Sequence, residues 1–164
     1  MALRYRVSFD NVNDFVTESN AVCDRLAFGI DAELFEQALN DVAGIIDVSS
    51  TRPEKTIGKG PDGLRMGDGS RFLIIEAKSE VDLDRDELHK SETEQLLHSW
   101  EWFTQEYKGK AGRPLSFHPA TKLAREAVFP EEGRIVTSDI LTAFRTSLRG
   151  YVSVVAGIER GALT

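Results

Sequence analysis

Four bulky apolar residues, Phe72-Leu73-Ile74-Ile75, run straight into Glu76-Ala77-Lys78 and are preceded by Asp68-Gly69. Such a run predicts a buried strand. The Asp-Gly pair predicts a tight turn before it, and hence a β-hairpin whose first strand begins near Pro61-Asp62. Side chains alternate faces along a strand. Glu76 and Lys78 therefore share one face, Ala77 takes the other, and Asp62 comes close to Glu76. A carboxylate pair beside an ammonium at the end of an apolar strand is costly to bury without a purpose. Holding a divalent metal and a phosphate together is such a purpose. The structural alternative is a turn stabilised by Asp62 and a same-face Glu76–Lys78 ion pair, worth only about 0–1 kcal/mol if exposed.

The chain of 164 residues is long enough for one domain with its own core, and its 41% hydrophobic and 29% charged content is that of a globular protein. No apolar run approaches the roughly 18–20 residues of a membrane helix. Met1-Ala2-Leu3-Arg4-Tyr5-Arg6 lacks the apolar core of a signal peptide. The single cysteine, Cys23, leaves no internal disulfide framework or cysteine zinc cluster, so a reducing, cytoplasmic setting is expected. The net charge of −7 argues against a protein that simply coats nucleic acid. The charge is uneven: residues 1–100 carry 11 Lys/Arg and 20 Asp/Glu, whereas residues 101–164 carry 9 and 7. Basic residues of the second half, among them Arg125, Arg134, Arg145 and Arg149, are candidate contacts to a nucleic-acid backbone; a solvated surface of mixed charge is the alternative.

In chain order, Leu3–Phe9 reads as a short strand. Val12, Phe15, Val16, Ser19, Val22 and Leu26 fall at helical spacing, ended by Gly29. Asp31 is an N-cap for a helix over Ala32–Ala43 closed by Gly44, with Phe35, Ala38, Leu39 and Val42 as its buried stripe. Glu36 sits beside that stripe, either half-buried or on the surface. Ile45–Val48 reads as a short strand and Ser49–Gly60 as a polar loop. Gly58-Lys59-Gly60 lacks the spacing of a phosphate loop. After Lys78 comes an acidic connection. A long helix then begins between Asp86 and Ser91 and runs to about Tyr107, with Ser91–Glu94 as a capping box and Leu96, Trp100, Phe103 and Tyr107 as its core face. Gln95 lies at one edge of that face. Gly109–Pro114 reads as a break, Leu115–His118 as a strand, Pro119 as the start of a helix through Leu123, Ala127 and Val128, and Arg134–Val136 as a strand. Thr137 or Ser138 caps a last helix through Val155. The order predicts an α/β domain with a central mixed sheet covered by helices. Residues 1–30 form an N-terminal accessory segment and 31–164 one globular unit. There is no internal repeat.

His89, His98 and His118 lack ligand-like spacing, and no nucleophile elbow marks a serine hydrolase. Trp100 belongs to the core. Trp102 is placed either to stack on a base or to be partly buried or at an interface.

Pro61-Asp62 followed by Glu76-Ala77-Lys78 at the end of the second hairpin strand resembles the PD-(D/E)xK nuclease superfamily, the restriction-endonuclease-like fold. The resemblance covers roughly residues 31–150. It implies a Mg²⁺- or Mn²⁺-dependent deoxyribonuclease, an endonuclease or exonuclease, in which Asp62, Glu76 and the Ala77 carbonyl hold the metal and Lys78 neutralises the phosphate or orients water. Family members commonly carry an acidic residue on the preceding helix, and Glu36 matches that position as a further metal ligand. Gln95 matches a polar position on the following helix. Some exonuclease branches have Q-x-x-x-Y there, and this chain has Ser99 in place of the tyrosine. Domains that resemble this one occur in DNA processing or phage (antiviral) defence, alone or joined to a helicase or other NTPase. Because the chain has no P-loop, any motor would lie in a separate chain or in a region missing from this sequence. DNA is the implied substrate, with targeting by a partner or by homo-oligomerisation, and no membrane is involved. The competing reading is an inactive nuclease-fold module that serves as a scaffold.

Overall fold

A computed structural model describes residues 9–67 and 71–162. The expected Leu3–Phe9 strand, apart from Phe9, and the Asp68-Gly69 turn lie outside them. The described chain forms five helices and a mixed five-stranded sheet, with a separate two-stranded pair.

Helix α1 spans Val12–Arg25, with the Asn11 side chain accepting from the Asp14 amide at 2.9 Å. Helix α2 spans Ala32–Ile45, and Asp31 caps it as the sequence predicts, accepting from the Leu34 amide at 3.0 Å. Gly44 does not close α2. The helix runs through it to Ile45, and Asp47 takes the left-handed conformation instead (φ 56°). The strand expected at Ile45–Val48 therefore forms later, as β1, Ser49–Thr51. The stretch read as a loop contains helix α3, Pro53–Ile57, with proline at its N-terminus. Strands β2 (Gly63–Met66) and β3 (Arg71–Ala77) form the expected hairpin, with Gly63 opposite Ile75 and Met66 opposite Phe72.

A two-residue strand β4 (Glu87–Leu88) precedes α4, Lys90–Glu106. The capping box lies two residues earlier than predicted: the Glu92 carboxylate accepts the His89 amide at 2.8 Å. Strand β5 starts at Ala111 and continues to Phe117, through the expected break. Pro114 is tolerated because, among the described residues, β7 pairs only with Leu115–Phe117 and no strand pairs with that edge of β5 beside the proline. No helix forms after Pro119. Instead β6 (Lys122–Leu123) pairs with β4, and Val128 is 64% exposed. The apolar residues there have no core to face, so their spacing carries no helix. Strand β7 is Arg134–Val136 and α5 runs over Ser138–Ala162.

The sheet order is β1-β2-β3-β5-β7. The first three strands are antiparallel, and β3–β5 and β5–β7 are parallel. A parallel neighbour requires a crossover, which α4 supplies between β3 and β5. One face of the sheet buries Ile75, Ala77 and Phe117 against α1, α2 and α5, including Phe15, Phe35, Leu148 and Val152. Helix α1 thus shares the main core. The other face presents Leu64, Phe72 and Ile74 to α4, through Phe103, Trp100 and Tyr107. This aromatic layer lies directly on the backbone: a Cβ at Gly112 would sit 2.6 Å from Phe103 Cε1 and 2.7 Å from Ile74 Cδ1. Gly112→Ala is expected to lower stability by about 1–3 kcal/mol through overpacking, read as a reduced denaturation midpoint with an unchanged slope.

Candidate functional site

Strand β2 starts at Gly63, opposite Ile75, so Glu76 and Ala77 extend past its end. The Asp62 side chain takes over there, its Oδ2 accepting the Ala77 amide at 2.9 Å. In an antiparallel pairing the N–H and C=O of one residue face the same neighbour, so the Ala77 carbonyl turns to the same edge. Glu76 continues the face of Phe72 and Ile74 toward α4. It is 7% exposed, and Ser99 Oγ donates to its Oε1 at 2.6 Å. Ser99 lies three residues after Leu96 and four before Phe103, on the buried stripe of α4.

Asp62 is delivered by the turn after α3. The Glu54 amide donates to the Pro61 carbonyl at 3.2 Å. Gly60 has a φ of +94°, and a Cβ there would meet the Trp102 ring at 3.0 Å and Pro53 Cβ at 3.1 Å. Only glycine meets both demands without strain. Trp102 is thus half-buried over this turn.

A cleft of about 250 Å³ opens at this point, and Asp62, Glu76, Lys78 and Gln95 all line it, as the sequence predicts. Glu54, His98 and Ser99 line it too and were not anticipated. Glu36 is placed differently. Arg52, 8% exposed, donates to Glu36 Oε2 at 2.5 Å, to Glu33 Oε1 at 2.9 Å and to Gln37 Oε1 at 3.2 Å. Glu36 and Asp62 meet instead across a second cavity, lined also by Arg52 and Arg65, with about 10 Å³ of free space. That is room for a single water. Asp62 lines both spaces and separates them.

The electrostatics of the pair are strained in one direction. Burial, then the Asp62 charge, push the Glu76 carboxyl up to about 8, against the Ser99 hydroxyl and Lys78. Burial also raises Asp62, opposed by the Ala77 amide and Lys78. Glu36 is raised by burial and by Asp62, opposed by Arg52. A buried carboxylate and a half-buried one that repel each other favour a proton or a cation between them. Among the described residues, no group of three or more His, Cys, Asp or Glu side chains could hold a metal ion by itself. Mg²⁺ does not require one. It is held by one or two carboxylates and keeps waters and phosphate oxygens as its other ligands. Asp62 and Glu76, which line the cleft, fit that demand; Ala77 does not line it, and only its backbone shares their strand edge.

None of the four candidate arginines lines the cleft. Arg149 joins α5 to α1 through Asn20 (2.7 Å) and Asp24 (2.6 Å), and Arg145 lines a groove with Leu26 and Phe28. Arg134 is exposed and donates to the Gly133 carbonyl at 2.7 Å, and Arg125 is exposed. His118 is fully buried, its Nδ1 accepting the Ala120 amide at 2.9 Å and its Nε2 against Arg85. No described helix is long and apolar enough to cross a membrane.

The chain is thus an α/β protein in which a buried glutamate, a half-buried aspartate and a lysine meet at the carboxyl end of the central strand. No family model, no curated protein and no solved structure matches it.

Proposed function

We propose that the chain is a divalent-cation-dependent nuclease of restriction-endonuclease-like architecture that hydrolyses phosphodiester bonds in DNA. The observation that carries this reading is the convergence of Asp62, Glu76 and Lys78 on one open cleft. The helix–hairpin–helix order around them supports it. Asp62, Glu76 and the Ala77 carbonyl would hold Mg²⁺ or Mn²⁺. When bound, such a cation acidifies a water and polarises the phosphate. Lys78 offsets the charge that builds on the scissile phosphate. Ser99 fixes the Glu76 carboxylate, and Gln95 and His98 offer polar groups at the wall that faces the substrate. The net charge of −7 gives little general attraction for DNA, so a partner NTPase or helicase, or self-association, brings the substrate to the cleft in DNA processing or defence against phage.

The test is incubation of the purified chain with supercoiled, linear and single-stranded DNA and with RNA, in Mg²⁺, in Mn²⁺ and in chelator. Cation-dependent breakage of DNA that chelator abolishes is expected. An inactive nuclease-fold module is the competing reading, favoured by the capture of Glu36 by Arg52. Cation binding without cleavage of any substrate would establish that alternative.

A further inference from the structure

Arg52 is a buried guanidinium at the edge of the site with a purpose beyond ordinary surface pairing. It is 8% exposed and spans one face of α2, contacting Glu33, Glu36 and Gln37 together. It also walls the small cavity in which Glu36 faces Asp62. A second guanidinium, Arg65, walls the same cavity. It is 9% exposed and is held by the Leu39 carbonyl, with no carboxylate partner among the described residues. The Nε atoms of both arginines are buried without a hydrogen-bond partner. On this side of Asp62 the protein has therefore installed two positive charges and left space for one water. On the other side it has left a cleft of about 250 Å³ whose only permanently positive group among the described residues is Lys78, with His98 at its wall.

We propose that Arg52 is a built-in cation that fills the Glu36 side of the site, so that the chain takes a single divalent ion, on the Glu76 side of Asp62. The proposal rests on the metal-dependent reading above. Glu36 then contributes no bond to the ion. It neutralises Arg52 and shapes the wall behind Asp62. A divalent ion on the Glu36 side would have to displace a guanidinium held by three partners and sit beside a second one. Arg52 thereby determines the stoichiometry of the site. Its removal frees Glu36 and Asp62, which line the same cavity, to share an ion, because carboxylates shielded from water and left without a counter-charge gain most from one.

The experiment is a titration of the full chain with Mn²⁺, followed by calorimetry and by the electron-spin resonance signal of free Mn²⁺. The wild type is expected to bind one ion. Glu36→Gln is expected to bind one ion with affinity changed by less than about threefold, whereas a lost ligand or ligand support costs about 10–100-fold. Arg52→Gln is expected to bind two, and Arg52→Gln combined with Glu36→Gln to return to one. Circular dichroism confirms that each variant folds. If Arg52→Gln does not fold, the Glu36→Gln titration still decides the matter. Two ions on the wild type, or a tenfold or greater loss of affinity in Glu36→Gln, would overturn the role of Arg52 and leave the metal-dependent reading standing. No ion on the wild type, with Asp62→Asn indistinguishable from it, would overturn that reading and this proposal with it.

Discussion

Lys78→Met is expected to slow DNA cleavage by about 10²–10³-fold, the usual cost of removing one charge-stabilising donor from a reacting centre. Cation affinity should change only a few-fold in the same protein. Lys78 lines the cleft, and its amide is tied to the Phe117 carbonyl at 2.9 Å, so the backbone position survives the substitution. Methionine keeps the unbranched stem and removes the charge. Glu76→Gln should behave differently, losing cleavage and cation binding together, because it removes a metal-facing carboxylate oxygen. The two variants separate the group that stabilises the phosphate from the group that holds the ion. Cleavage by Lys78→Met at the wild-type rate would remove Lys78 from the reacting centre.

The second large effect is on stability against pH. The Glu76 carboxyl is pushed up to about 8 in the folded chain from an ordinary 4.5. Its raised value means that the folded state holds a proton the unfolded state has released. Stability in chelator must therefore fall as pH climbs from about 5 to about 8, by at most about 1.4 kcal/mol per unit. Over the whole interval the loss is on the order of a few kcal/mol, or roughly 10 °C in midpoint for a chain of this size. His118 acts in the opposite sense. Burial lowers it from 6.5, so it costs stability as pH falls below that value and leaves the interval above it to the carboxylates. Millimolar Mg²⁺ should flatten the decline, since the ion displaces the proton and binds only the folded chain. Glu76→Gln should flatten it without any ion. Thermal melts at pH 6.5 to 8.5 decide this, and identical slopes for the wild type and Glu76→Gln would show that the carboxyl is not strained.

The hairpin and the Asp62–Glu76–Lys78 grouping were legible because they follow from short-range rules: an apolar run, its alternation and a nearby turn. The caps of the helices were nearly as legible, although Gly44 and Ser91 drew the boundaries a few residues astray. Helix α3 was missed in a polar stretch, yet Pro53-Glu54 is a helix-start pattern that could have been weighted more heavily. Gln95, His98 and Ser99, which line the cleft, form a second row at helical spacing that borders the apolar stripe of α4 and shares Ser99 with it. That second stripe was available to reading and marks the wall of the cleft. The expected helix after Pro119 failed because spacing alone cannot say whether a core exists to receive it. The partner of Glu36 was not legible at all. Arg52 lies 16 residues further along the chain, and only the packing of α3 against the sheet brings it there.

The bond from the Ala77 amide to Asp62 makes a side chain stand in for a strand. Its consequence is preorganisation. A carboxylate carried on a free loop would have to be gathered from many rotamers before it could act, and that reorganisation would add to the barrier. Asp62 is instead held in the hydrogen-bond register of the sheet, so its negative charge is aimed before any ligand arrives. The same bond separates shape from charge. Asparagine retains an oxygen to accept the Ala77 amide, so Asp62→Asn removes the anion while leaving the edge of the sheet closed.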